Sequence, residues 1–294
     1  MHERTSVLLT VLLLAVAYVP VTIASAADSE FLRIRYDRNG EPAALQSAIA
    51  SYRAPTGAAF TGTVDLIGAL HIAEKTYFAE LNDRFRHYDA VLYELIAAPG
   101  TRIPRGGPDN PGSLASTQVA IKNALGLSFQ LDEVNYNVSN FVHADMSPEQ
   151  FSQSMAERNE NLYQYFWKIF FFATKQYARD PLGERQADLF AALFADDNGR
   201  ALKIELAREL LDVDRVTESL EGPDGSTLIS GRNEQAINVL RQRIAAGDRR
   251  LAIFYGAGHL ADLEARLADE FHMIKAEQTW LDAWDLSAGK NKPQ

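Results

Sequence analysis

Between Thr63 and Glu94 the chain reads as an apolar run, an amphipathic helix and a second apolar run, and this order constrains the fold more than any other part of the sequence. Val64 to Leu70 is interrupted by one charge, Asp65, the pattern of a strand covered on both faces of a sheet. Phe78, Leu81 and Phe85 then fall at helical spacing among Glu74, Lys75, Glu80, Asp83 and Arg84. Ala90-Val91-Leu92-Tyr93 is a second strand and stops at Glu94. Strand, helix and strand in so short a span predict a βαβ unit with its two strands parallel in one sheet. His71 and Glu94 then stand at the same end of that sheet.

Ahead of this unit, Leu32, Ile34 and Tyr36 alternate with Arg33 and Arg35 before Asn39-Gly40, which predicts a strand entering a hairpin turn, with 43–54 as the returning strand. Beyond it, 97–117 carries four prolines and four glycines and reads as a long loop leaving from the His71/Glu94 end, either a binding loop or plain surface. Residues 113–247 read mainly as helices, one starting at the capping sequence Ser147-Pro148-Glu149-Gln150. Leu251 to Tyr255 is again an apolar strand, ending in Gly256-Ala257-Gly258-His259. Leu260, Leu263, Leu267 and Phe271 mark a helix after it, and 272–278 a last strand. The expected fold is α/β: one domain over 27–294, with a central, mostly parallel sheet split in sequence by a large helical insertion at 113–247.

Arg4, the apolar residues 7–18 and Ala24-Ser25-Ala26 form the pattern of a cleaved export signal over 1–26, which predicts a periplasmic or secreted protein. An uncleaved anchor is the alternative, since the apolar stretch approaches the ~20 residues that span a bilayer; Pro20, Thr22 and Ser25 break it. The formal net charge of −10, with no basic block, argues against nucleic acid as a partner. With no cysteine, neither disulfides nor thiolate chemistry is available. The aromatic-rich stretch from Asn161 to Tyr177 is broken by Lys168 and too short to span a membrane; it suits a buried helix or the wall of an apolar cleft.

Three polar side chains follow three apolar strands: His71, Glu94 and His259. Ligand sites of open α/β sheets form outside the carboxyl ends of the strands. Two imidazoles and a carboxylate there suit a divalent transition metal that keeps a position for water. Each residue alone also suits a packed or capping role, and it is their repeated placement that marks a site. Gly68 and Gly256, each three residues before a histidine, allow close backbone approach. Arg232 and Asn233 open an amphipathic helix carrying Ile237, Leu240 and Ile244, where an arginine opposes the helix dipole, a small cost that an anionic partner would remove; it either faces the cleft or is simply a solvated charge. His143 and Asp145, two apart on an extended segment, point to one side and either support the ligands or pack and cap a turn. Asp65 requires a partner, for which Arg232 and Arg250 are the candidates.

Taken in order, GALH (68–71), YE (93–94), RN (232–233) and GAGH (256–259) resemble the TraB/GumN/Tiki family, over 63–96 and 230–275. The resemblance implies a fold related to erythromycin esterases and ChaN-like haem-binding lipoproteins, and the metal-dependent proteolysis associated with the Tiki members. It implies His71 and His259 as ligands of a divalent transition metal (Mn, Co, Zn or Fe), Glu94 as ligand or general base, and Arg232 as stabiliser of an oxyanion. The leading expectation is an exported, metalloprotease-like hydrolase of peptide or amide bonds. Two alternatives stand beside it: a haem- or peptide-binding protein with a histidine as axial ligand, and a metal-free hydrolase in which His71 is a general base assisted by Glu94.

Overall fold

A computed structural model describes residues 30–98, 100–103, 125–161, 164–165, 199–221 and 225–288. The signal pattern, most of the 97–117 loop and most of the aromatic-rich stretch lie outside these residues.

Strands β1 (Leu32–Tyr36) and β2 (Pro42–Arg53) form the expected hairpin, closed by Gly40 at φ 81 and by the Asp37 carboxylate, which accepts from the backbone of Asn39 and Glu41. β2 is long enough to serve two neighbours along one edge. Its first half pairs with β1, and its second half, from Ile49 to Arg53, pairs antiparallel with β3 (Thr63–Ala69). After β3 come the short β4 (Ile72–Ala73), helix α1 (Lys75–Phe85) and β5 (Ala90–Tyr93). The other edge of β2 takes the last strand, β9 (Ile274–Asp285).

β3 and β5 are parallel members of one sheet, as the βαβ pattern requires, but they are not neighbours. Between them lies β8 (Arg250–Gly256), parallel to both. The outer neighbour of β5 is β7 (Phe141–His143), also parallel. The sheet is therefore mixed: β3, β8, β5 and β7 run together, and β1, β2 and β9 complete it through antiparallel pairs. Within 113–247, where the sequence reads mainly as helices, two short strands also occur: β7 and β6 (Ser128–Phe129), the latter paired with β4, lie on either side of the short helix α2 (Gln130–Glu133). A three-residue edge strand and a two-residue bridge are too short to imprint an alternating pattern.

The apolar strands are sandwiched. Ile67, Ala69, Val91, Tyr93, Ala252 and Phe254 share one core with Phe78, Leu81 and Phe85 of α1 and with Ile204 and Ala207 of α4 (Arg200–Leu210). The alternate residues, Val64, Leu66, Ala90, Leu92, Leu251 and Ile253, point the other way. They pack on Ala236, Ile237 and Leu240 of α6 (Arg232–Ala246) and Leu260, Leu263 and Leu267 of α7 (Leu260–Phe271). Side-chain alternation along a strand thus turns one continuous apolar run into two cores. Helix α3 (Pro148–Glu157) starts at the expected capping box, with Ser147 Oγ accepting from the Gln150 backbone and the Gln150 side chain accepting from that of Ser147. α5 (Val213–Leu220) follows α4, and a π turn, Thr227–Gly231, leads into α6.

Asp65 is held by neither arginine: the Tyr88 hydroxyl donates to it at 2.6 Å. Another tyrosine, fully buried, ties strands to helix. Tyr77, 1 % exposed, donates from its hydroxyl to the Gly68 carbonyl and meets Ser47 Oγ, both at 2.9 Å. Burial pushes its phenol up to about 12, against the Ser47 bond that lowers it. A phenol raised in the folded state contributes stability that is complete below its unfolded value near 10 and is lost as pH rises through 12. Alkaline titration is expected to weaken the fold above pH ~10 by about 1.4 kcal/mol per pH unit for each such tyrosine. Urea denaturation across pH 9–11.5 checks this; a stability flat over that range would contradict it.

Candidate functional site

The four parallel strands end at one edge, and the polar residues picked out in the sequence follow them there. His71 stands two residues beyond β3, Glu94 immediately after β5, Asp145 two residues beyond β7, and His259 closes the 3-10 turn Ala257–His259 that leaves β8. Arg232 and Asn233 are the first residues of α6 and reach in from the helix layer.

At the centre is a buried ion triad. Arg232, 7 % exposed, donates from Nε to Asp145 Oδ1 (3.0 Å) and from Nη2 to Asp145 Oδ2 (2.5 Å) and Glu94 Oε1 (2.7 Å). Its Nη1 makes no hydrogen bond among the described residues. The second oxygen of Glu94, Oε2, accepts from the Gly256 backbone at 2.7 Å. Burial would raise the Glu94 carboxyl, but the Arg232 guanidinium above all, with the neighbouring imidazoles and the Gly256 N–H, outweighs it and holds the group well below the usual carboxylate range. Its partners drive Arg232 the other way, to a still firmer positive charge. Two carboxylates around one guanidinium leave this pocket one negative charge in excess.

His259 is equally fixed. Asn233 Nδ2 donates to the His259 carbonyl (3.0 Å) and to Asp262 Oδ2 (2.8 Å), so its Oδ1 must be the acceptor that meets His259 Nδ1 at 2.7 Å. The ring proton therefore sits on Nδ1. Burial lowers the imidazole to about 4, with Glu94 opposing and Arg232 adding to the shift, so the ring is neutral at neutral pH. Its Nε2 then presents a lone pair to the ionised Glu94 Oε1 at 3.6 Å, with no proton between them. Two electron-pair donors so placed repel unless a cation joins them.

His71 is the exposed member. Its Nδ1 lies 3.0 Å from Gln130 Oε1. His143 does not join the group: its Nε2 donates to the Leu95 carbonyl at 2.6 Å, while Asp145 turns to Arg232 and to its own neighbour, the Met146 N–H. The expectation that both point to one side fails because β7 ends at His143 and the alternation ends with it.

Several supports were invisible to sequence reasoning. Gln130 reaches His71 only through the β4–β6 pairing. The Tyr255 hydroxyl, which donates to the Ala144 carbonyl at 2.6 Å and so anchors the segment carrying Asp145, is a core strand residue like its neighbours. Asp262 had a signal, since it lies three residues after His259, one helical turn on.

Two ligands held ~2.0–2.1 Å from a tetrahedral ion stand roughly 3.4 Å apart, and His259 Nε2 and Glu94 Oε1 are close to that. Both are of the donor type that divalent transition metals take, with Asn233 orienting the imidazole from behind. As they stand, His71, Glu94 and His259 do not form a closed ligand set among the described residues. The chemistry of the donors fits a metal nonetheless.

No protein-family model, no curated protein and no solved structure matches the chain.

Proposed function

We propose that the protein is a TraB/GumN/Tiki-like, metal-dependent hydrolase of peptide or amide bonds, with His259, Glu94 and His71 as ligands of a divalent transition metal. The observation that carries this reading is the approach of His259 Nε2, the ring nitrogen opposite the Asn233 bond, to within 3.6 Å of Glu94 Oε1 in a pocket of excess negative charge. When bound, such a metal supplies a water of lowered pKa and polarises the scissile carbonyl. The chain's own residues prepare for that. Burial keeps His259 neutral, Asn233 aims its Nε2, and Arg232 with the Gly256 N–H keeps Glu94 an anion. A carboxyl held that low is a poor proton acceptor near neutral pH, which favours Glu94 as ligand over Glu94 as general base. Arg232 Nη1 is the nitrogen free to meet a developing oxyanion.

The test is to purify the full chain in mild detergent without added metal and measure bound metals by mass spectrometry. Stoichiometric manganese, cobalt, zinc or iron is expected, lost in His259→Ala and Glu94→Gln. Absence of metal even after reconstitution sinks the reading. A metal-free hydrolase with His71 as base is the second reading, favoured by the exposure of that ring. It predicts turnover that survives chelation. The haem- or peptide-binding alternative would use the aromatic-rich stretch as its apolar wall, and most of that stretch lies outside the described residues.

We also propose that 1–26 is an export signal and the protein periplasmic or secreted. Among the described residues no helix is long and apolar enough to cross a membrane. The division into a single domain carrying a helical insertion between β5 and β8 is likewise our reading of the chain.

A further inference from the structure

We infer that Gln130 is a positioning residue that sets the tautomer of His71, so that both site histidines present the same ring nitrogen. The inference rests on the proposed metal-site reading for its purpose, though not for its test.

Gln130 holds His71 twice. The β4–β6 pair sets Ile72 opposite Phe129, and just beyond it the Gln130 backbone N–H donates to the His71 carbonyl at 2.8 Å. The Gln130 side chain then returns over the same residue, bringing Oε1 to within 3.0 Å of Nδ1. That side chain is buried, and its Nε2 is placed on the Tyr136 hydroxyl at 2.6 Å, itself in the core. The amide is turned with its nitrogen on Tyr136 and Oε1 toward the ring, and an amide oxygen can only accept; the reverse turn, with the Tyr136 hydroxyl donating to Oε1, would hand the ring a donor instead, and the ring spectra below tell the two apart. With the amide turned this way, Nδ1 of His71 carries the proton and Nε2 is left with its lone pair.

The same logic operates at His259, where Asn233 Oδ1 meets Nδ1 at 2.7 Å. Two histidines from different strands are thus each gripped at Nδ1 by a carboxamide delivered from a different element, α2 in one case and α6 in the other. In free histidine the proton prefers Nε2, so neither ring would adopt this form unaided. Fixing a ligand ring through its far nitrogen is how outer hydrogen bonds tune metal sites, at a cost of ~10–100-fold in affinity when they are removed. Gln130 matters more to His71 than a similar bond would to a packed ring, because His71 is exposed and has no core to hold it.

Long-range nitrogen-carbon NMR of the histidine rings in chelator-treated full chain reads the tautomer directly, with the His71 signals assigned by their loss in His71→Ala. The wild type is expected to show His71 protonated at Nδ1. Gln130→Ala is expected to return most of the population to the Nε2-protonated form, and Gln130→Glu, which keeps an acceptor at the same reach, to restore the Nδ1 form. A wild-type ring protonated at Nε2, or a Gln130→Ala variant still protonated at Nδ1, overturns the inference. Cobalt titration adds a second readout: a loss of ~10–100-fold in affinity is expected for Gln130→Ala, recovered in Gln130→Glu. If the wild type binds no cobalt, the hydrolase reading fails while the ring spectra still decide the role of Gln130.

Discussion

Replacing Arg232 by alanine is expected to destabilise the protein by about 3–5 kcal/mol, the cost of stripping the partner from buried charges. The substitution leaves Glu94 and Asp145 facing each other with no cation between them, at a site where Arg232 serves both carboxylates from Nε and Nη2. For a chain of this size the loss amounts to a drop of roughly 10 °C in Tm. Arg232→Lys recovers only part of it, since one ammonium cannot reproduce the two-pronged geometry. The pH dependence has a definite sign. Glu94 is depressed in the folded state, so its contribution is present above the unfolded carboxylate value near 4.3 and is lost as pH falls through the folded value. The wild type should therefore weaken in acid, and the gap between it and Arg232→Ala should narrow there. Urea denaturation of both proteins at pH 7 and pH 3 measures it; an equal gap at the two pH values would show that the triad is not what the arginine stabilises.

The second large effect is expected at a glycine outside the motifs. A Cβ on Gly62 would lie 2.0 Å from the Arg249 carbonyl oxygen and 2.5 Å from the Phe60 ring. That carbonyl accepts the Thr63 N–H at 2.7 Å, next to the first register pair of β3 and β8, Thr63 and Arg250. A methyl group there must push two central strands apart at their entry. Gly62→Ala is expected to cost at least about 1–3 kcal/mol. Gly68→Ala is the control: its Cβ would meet nothing nearer than the Ala48 carbonyl at 3.5 Å, an ordinary contact. Comparing the urea midpoints of the two variants decides the matter, and equal losses would refute the assignment.

The contrast between these glycines marks one boundary of sequence reasoning. Gly68 and Gly256 stand out because each precedes a histidine by three residues, and close approach was expected at both. Only Gly256 meets that expectation, its Cβ position lying 3.3 Å from Glu94 Oε2. Gly62 belongs to no motif, because what forbids a side chain there is a carbonyl almost two hundred positions away along the chain.

Much of the architecture was legible because it is written locally. The alternation of Leu32, Ile34 and Tyr36 before Asn39-Gly40, the apolar runs at 64–70, 90–93 and 251–255, and the capping residues at Ser147 and Gln150 each fix a strand, a turn or a helix start through contacts within a few residues. The placement of His71, Glu94 and His259 at one sheet end follows as well, since parallel strands finish together. Local pattern could not say that β8 would enter between β3 and β5, or that a three-residue β7 would extend the sheet from within a segment that reads as helical. Nor could it assign partners. Asp65 pairs with Tyr88, Asp145 with Arg232, His143 with a carbonyl, and Gln130 with His71. The sequence by itself determined which residues are chemically able and on which strand ends they stand. Only the tertiary structure decided which of them meet, because hydrogen bonds and ion pairs act over a few ångströms while Glu94 stands 138 positions from Arg232 and 162 from Gly256.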